Sequence, residues 1–225
     1  MSKIGIITGL QVETTCLDNV APHLRKRYSL RFCAGGNLGR ARYGANFLIQ
    51  NGAKGLVSFG IAGALDRQLQ PGDIVIGTTI IDGSGNLYQS DENWLNNLKI
   101  SGSTNSPCFT GSIVSVEQPI LTASGKYGLF SRFNSMAVDM ESAGVAAAAT
   151  ANGIPFIAIR AIADPANRNV PSCALAGQAT DGTMKPLAVT NQLLRRPWEV
   201  ANIIRLAQDL ISARSTLSRV AMIGF

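Results

Sequence analysis

The chain has 225 residues, of which 46% are hydrophobic, and this favours one sizeable core in a single domain, residues 1–225. It has no run of about 18 apolar residues, so we predict no transmembrane helix. The N-terminal "MSKIGIITGL" is typical of a first strand rather than of a signal peptide. The formal net charge is +6, but the sequence contains no recognisable nucleic-acid-binding motif. The four cysteines are far apart, and with the single histidine they make a poor set of metal ligands. We therefore expect neither nucleic acid nor a metal ion as a partner.

Along the chain, apolar runs typical of strands alternate with longer segments of helical periodicity. The predicted strands are residues 3–10, 30–36, 54–65, 72–82, 109–116, 135–140 and 154–164. The predicted helices are residues 11–26, with a potential break at Pro22, then 38–52, 141–153, and two helices within 185–220 that Pro197 divides. Residues 83–108 and 165–185 are predicted to be irregular. The alternation predicts a three-layer α/β/α sandwich with a mixed, largely parallel central sheet.

Chemically distinctive residues follow four of the predicted strands. They are Glu13, the glycine-rich turn Gly60–Gly63, the acidic segment Asp139–Glu141, and Asp164, which Arg160 precedes on its strand. Each has an ordinary explanation, since carboxylates favour helix N-termini and glycines favour turns. Ligands in open α/β sheets, however, bind beyond the carboxyl ends of strands. Helix capping explains one carboxylate but not a set of three, so we expect these residues to converge on one cleft.

Three longer segments carry a resemblance to a known family. The segments "GIAGALDRQLQPGDIVIG", "AVDMES" and "IPFIAIRAIAD" resemble the purine nucleoside phosphorylase and uridine phosphorylase superfamily. They are especially similar to the branch of methylthioadenosine/S-adenosylhomocysteine nucleosidases. The details "ITGLQVE", "VDMES", "IRAIADPANR" and "LLRRP" resemble the hopanoid-associated phosphorylases, which are thought to remove adenine from adenosylhopane.

The resemblance implies roles for individual residues. Glu141 would bind the ribose hydroxyls, with Met140 packing against the sugar, because a carboxylate there stabilises the positive charge that develops on the ribose. Asp164 would act as a general acid that protonates the departing purine at N7. Glu13 matches the glutamate that activates water in the nucleosidases, which points to hydrolysis. The purine would lie near Val116 and Glu117.

A phosphorylase would need an anion site instead. The candidates for a nucleophile or phosphate site are Gly60, Ala62, Gly63, Arg160 and Arg40. Ile61 stands where the nucleosidases usually have serine, which removes a hydroxyl from this site. The residues leave the choice between orthophosphate and water open.

The resemblance implies cleavage of an adenine nucleoside with an apolar 5' group, most specifically adenosylhopane, in a cytoplasmic enzyme that needs no cofactor besides water or orthophosphate. There are two alternatives. One is an enzyme that acts on methylthioadenosine, S-adenosylhomocysteine or purine nucleosides in general, and the other is a non-catalytic protein that binds adenosyl ligands. Relatives commonly form homodimers or higher homo-oligomers. The basic C-terminal segment is compatible with peripheral contact to an anionic membrane, although packing of its apolar positions on the sheet is the explanation that we favour.

Overall fold

The computed structural model describes residues 3–98, 100, 104, 106–172, 174, 182–183 and 197–225. Its strands are β1 Gly5–Thr8, β2 Leu30–Cys33, β3 Leu56–Ala64, β4 Ile74–Ile81, β5 Leu87–Gln89, β6 Cys108–Ser115, β7 Ala137–Asp139 and β8 Phe156–Asp164. Its α-helices are α1 Gln11–Thr15, α2 Pro22–Arg27, α3 Leu38–Gln50, α4 Glu92–Asn97, α5 Ala123–Phe133, α6 Ser142–Ala151 and α7 Val200–Ile223, and a 3₁₀ turn, Pro197–Glu199, precedes α7.

The eight strands of the described residues form one mixed sheet in the order β2-β1-β3-β7-β6-β4-β5, with β8 paired to both β3 and β4. Five of the eight strand pairings are parallel, which confirms the predicted mixed, largely parallel sheet. Strands β3, β8, β4, β6 and β7 also pair in a closed ring, a feature that the sequence did not predict. The ring places the short strand β7 and the carboxyl end of β8 beside the carboxyl-terminal part of β3.

Helices cover both faces of the sheet, as the three-layer prediction requires. On one face α3 packs against α6, and their small residues form a core with the sheet. The two helices approach closely at Gly144, where a Cβ atom would lie 2.3 Å from the carbonyl oxygen of Leu38. On the other face α7 buries Ala213, Leu217 and Val220 beside β8 and β3. No helix of the described residues is long and apolar enough to cross a membrane.

Four element predictions were wrong or incomplete. Residues 11–26 form two short helices, because Pro22 takes the first position of α2, where its missing N–H has no cost. Gly60–Gly63 lie within β3 and not in a turn. Residues 83–108 contain β5 and α4, and α5 was not predicted at all. The first of the two predicted C-terminal helices falls on residues 185–196, outside the described residues, while α7 follows Pro197 as predicted.

Candidate active site

A cavity of about 220 Å³ opens at the C-terminal halves of β3, β7 and β8, beside the loop that follows β1. One part of its wall carries four carboxylates: Glu13, Asp139, Glu141 and Asp164. Another part is apolar and includes Ile120, Leu121 and Val170, with Leu206 and Leu210 from α7. The strand ends therefore bring together the acidic residues that the sequence predicted to converge.

Glu13 is almost completely buried and is held by backbone N–H groups. The N–H groups of Gly9 and Leu10 donate to its Oε2 at 2.7 and 2.8 Å, and that of Ile61 donates to its Oε1 at 2.8 Å. Burial raises the pKa of Glu13, although these hydrogen bonds and Arg160 oppose the increase. A Cβ atom on Gly60 would lie 2.7 Å from Oε2, so the glycine is needed to admit the carboxylate.

Arg160 lies fully buried beneath the cavity and pairs with Asp139. Its Nε donates to Asp139 Oδ2 at 2.7 Å, and its second terminal nitrogen donates to Ser58 Oγ at 2.6 Å and Ser142 Oγ at 2.9 Å. The other oxygen of Asp139 accepts hydrogen bonds from Ser115 Oγ and from the backbone N–H groups of Glu141 and Ser142. Asp139 thus joins the start of α6 to the guanidinium.

Glu141 precedes α6 but makes no side-chain cap for that helix. Its Oε2 lies 3.8 Å from a terminal nitrogen of Arg160 and 3.3 Å from the N–H of Met140. Burial raises the pKa of Glu141 to about 8, and the charges of Asp139 and Glu13 contribute to the increase. Asp139 accepts the hydrogen bonds at the start of α6 and pairs with the guanidinium of Arg160. The side chain of Glu141 is not needed for either contact and lines the cavity. A Cβ atom on Gly9 would lie 2.4 Å from Glu141 Oε1, so Gly9 makes room for it.

Asp164 ends β8 and is paired with a lysine that the sequence analysis missed. Lys126, on α5, has no exposed surface, and its Nζ bonds to Asp164 Oδ2. It also donates to the carbonyl oxygens of Pro165 at 2.8 Å and Arg168 at 3.1 Å. Burial raises the pKa of Asp164, while Lys126 and Arg168 act in the opposite direction.

The remaining predicted site residues are divided between the cavity and the surface. Met140, Val116, Ala62 and Gly63 line the cavity. Arg40 and Glu117 are exposed and are not among the lining residues, so the structure does not bring them to the others. Arg40 lies in the first turn of α3 and its guanidinium faces the carbonyl oxygen of Cys33 at 3.5 Å.

Two groups of contacting residues were not predicted. The hydroxyls of Ser58, Ser115 and Ser142 surround the pair of Arg160 and Asp139, and a serine in an apolar strand gives no sequence signal of such a contact. Lys126 lies in a segment to which no element was assigned. The described residues contain no cluster of three or more His, Cys, Asp or Glu side chains placed to hold a metal ion.

A model of the phosphorylase superfamily matches residues 39–211. No curated protein matches the chain. The 5'-methylthioadenosine/S-adenosylhomocysteine nucleosidase of Neisseria meningitidis, solved with methylthio-immucillin-A, is 19% identical with a TM-score of 0.73 over 99% of this chain and 98% of that one. The futalosine hydrolase of Helicobacter pylori is 17% identical with a TM-score of 0.65 over 97% of each chain. A nucleosidase of the first type from Colwellia psychrerythraea, solved with adenine, is 19% identical with a TM-score of 0.67 over 85% of this chain and 96% of that one. At these identities the similarity concerns the fold.

Proposed function

Because the chain belongs to the phosphorylase superfamily, we propose that it breaks the N-glycosidic bond of an adenine nucleoside by hydrolysis. The superfamily predicted from the sequence is confirmed, whereas the closer relation to the hopanoid-associated branch stays a prediction. The fold of this chain is shared with nucleosidases solved with methylthio-immucillin-A and with adenine, which supports an adenine nucleoside as the substrate.

The acidic wall is suited to the charge changes of this reaction. As the C–N bond lengthens, positive charge develops on the ribose and negative charge on the purine. Glu141 and Met140 would contact the ribose, where the carboxylate stabilises the positive charge. Asp164, which also belongs to the acidic wall, would donate its proton to N7 so that adenine leaves as a neutral molecule.

The observation that carries the choice of water is the environment of Glu13. Its carboxylate occupies the backbone N–H groups of Gly9, Leu10 and Ile61, which are the groups that an anion would otherwise use. Arg160 is fully engaged by Asp139 and by serine hydroxyls. No lysine or arginine is among the described residues that line the cavity. An acidic wall without a lining cation disfavours phosphate, so Glu13 is proposed to activate water.

The apolar wall supports an apolar 5' substituent. Ile120, Leu121, Leu206 and Leu210 offer a surface without hydrogen-bonding side chains, which favours a hydrocarbon or thioether over a phosphate or sugar. The resemblance of the sequence makes adenosylhopane the first candidate, and methylthioadenosine is the second because a small thioether fits the same wall.

The test is adenine release from adenosylhopane and from methylthioadenosine, each with and without orthophosphate, with identification of the sugar product. We expect the free sugar, at a rate that phosphate does not change. Glu13→Gln should lower the rate by about 10² to 10⁴, the usual contribution of a general base. The matched control, Glu92→Gln, changes the same groups at an exposed position outside the cavity and should leave the rate unchanged. Formation of ribose 1-phosphate derivatives would show phosphorolysis and would remove the assigned role of Glu13.

A further inference from the structure

Lys126 is a fully buried charge on α5. It lies in the first turn of α5, where the helix dipole disfavours a cation, and none of its surface is exposed. Such a placement is unfavourable unless the charge is paired and its N–H groups are satisfied. Its three acceptors are Asp164 Oδ2 and the carbonyl oxygens of Pro165 and Arg168, all at or after the end of β8.

The contacts of Lys126 fix the orientation of one side chain of the cavity. The ammonium bonds to Oδ2 of Asp164, and Oδ1 accepts no hydrogen bond from the described residues. Asp164 lines the cavity, and its side chain is 16% exposed. Lys126 therefore holds the carboxyl group of Asp164 through Oδ2, and Oδ1 is available to a ligand.

We propose that Lys126 is a positioning residue for the general acid, holding Asp164 so that Oδ1 faces the purine and balancing the carboxylate that remains after proton transfer. This inference rests on the proposed function. In the step concerned, the C–N bond breaks, its electron pair passes to the purine, and the proton on Oδ1 of Asp164 moves to N7. Neutral adenine and the Asp164 carboxylate result, and the ribosyl carbon left electron-deficient bonds to the water, which gives a proton to Glu13. The adjacent ammonium stabilises the Asp164 carboxylate.

The leaving group distinguishes this role from a structural one. Adenine needs protonation to leave, whereas p-nitrophenol leaves a riboside as a stable anion. If Lys126 acts through Asp164, its loss affects only the reaction that uses the acid. If Lys126 merely supports the fold around the cavity, its loss affects both reactions equally.

The experiment compares adenine release from methylthioadenosine with p-nitrophenol release from p-nitrophenyl β-D-ribofuranoside. In Lys126→Met we expect kcat for adenine release to fall by about 100-fold or more, within the range of a general acid. Release of p-nitrophenol should change by less than about threefold. The basic limb of the pH profile for adenine release should move to higher pH, because Asp164 without the ammonium holds its proton more tightly.

Two further variants serve as controls. Lys54→Met makes the same change at an exposed lysine and should leave both reactions unchanged. Lys126→Met combined with Asp164→Asn leaves no unpaired buried charge and should be no slower in adenine release than Asp164→Asn alone, since the lysine acts through the aspartate. An equal fall of both reactions in Lys126→Met, or a further loss in the double variant, would overturn the inference. A wild-type protein that releases adenine from no nucleoside would overturn the proposed function instead.

Discussion

Replacing Glu141 by glutamine should make the protein more stable at alkaline pH. Glu141 lies 3.8 Å from the guanidinium of Arg160, which Asp139 already pairs, and burial raises the pKa of Glu141 from the usual 4.5 to about 8. Between these pH values the folded protein holds a proton on Glu141 that the unfolded chain has lost. The free energy of unfolding therefore falls as the pH rises through this range. The stability contributed by the proton on Glu141 is fully present only below pH 4.5.

The magnitude follows from the two pKa values. Their separation, from 4.5 to about 8, corresponds to about 5 kcal/mol at about 1.4 kcal/mol for each pH unit. Glutamine resembles the protonated carboxyl group in shape and charge and does not titrate. Glu141→Gln should thus have nearly the wild-type stability at pH 5 and should exceed it by about 4 kcal/mol at pH 8.5.

Urea unfolding of both proteins, at half-unit steps from pH 5 to pH 8.5, measures this difference. Subtracting the two curves cancels the titration of groups that the variant retains. A pH-independent difference for Glu141→Gln would show that Glu141 is already ionised in the folded protein, and the argument from burial and neighbouring carboxylates would be refuted.

Two stability predictions concern the framework of the site. Asp139→Asn leaves the buried Arg160 without its closest anion and should lower the free energy of unfolding by about 3 to 5 kcal/mol in urea titrations. Asp18→Asn breaks the ion pair of Asp18 with Arg31, in which 59% of the aspartate side chain is exposed, and should cost less than about 1 kcal/mol. Equal losses of stability in Asp139→Asn and Asp18→Asn would contradict the reasoning. Gly144→Ala drives a Cβ atom towards the backbone of α3 and should cost about 1 to 3 kcal/mol. Gly128 lies in α5, and a Cβ atom added there would have no neighbouring atom within 4 Å. Gly128→Ala should therefore raise the melting temperature, because alanine favours the helix by about 1 kcal/mol. An equal loss of stability at both glycines would exclude the packing argument.

Apart from β5, α4 and α5, the order of strands and helices could be predicted from local patterns, but the closure of the sheet could not. Closure depends on pairings between distant strands, such as β3 with β7 and β4 with β8, which leave no periodic signal in either partner. The prediction of a turn at Gly60–Gly63 was wrong because glycine usually interrupts strands. These glycines lie within a strand, where Gly60 leaves room for Glu13 and Gly63 lies against Asp164.

The acidic residues of the site were accessible to sequence reasoning because they follow strands, and strand ends meet at one edge of the sheet. Lys126 was not accessible in the same way. It reaches Asp164 across 38 positions of the sequence from a helix that gave no clear pattern, and one lysine in a polar segment is ordinarily a surface residue. Arg40 differs, because the sequence places it near the site on its helix whereas the structure shows it exposed and outside the cavity lining.

The charges along the cavity match the polarity of the proposed bond cleavage. At the proposed ribose end, the carboxylates of Glu13, Asp139 and Glu141 interact electrostatically with the guanidinium of Arg160. Negative charge is in excess there, and protonation of Glu141 relieves it in the free protein. A ribosyl group that becomes cationic supplies the missing positive charge and favours the ionised form of Glu141. At the proposed purine end, the cation of Lys126 pairs with Asp164 and would balance the carboxylate left by proton transfer. Both ends are thus better matched to the separated charges of the transition state than to the neutral nucleoside, which is the condition for catalysis by a preorganised site.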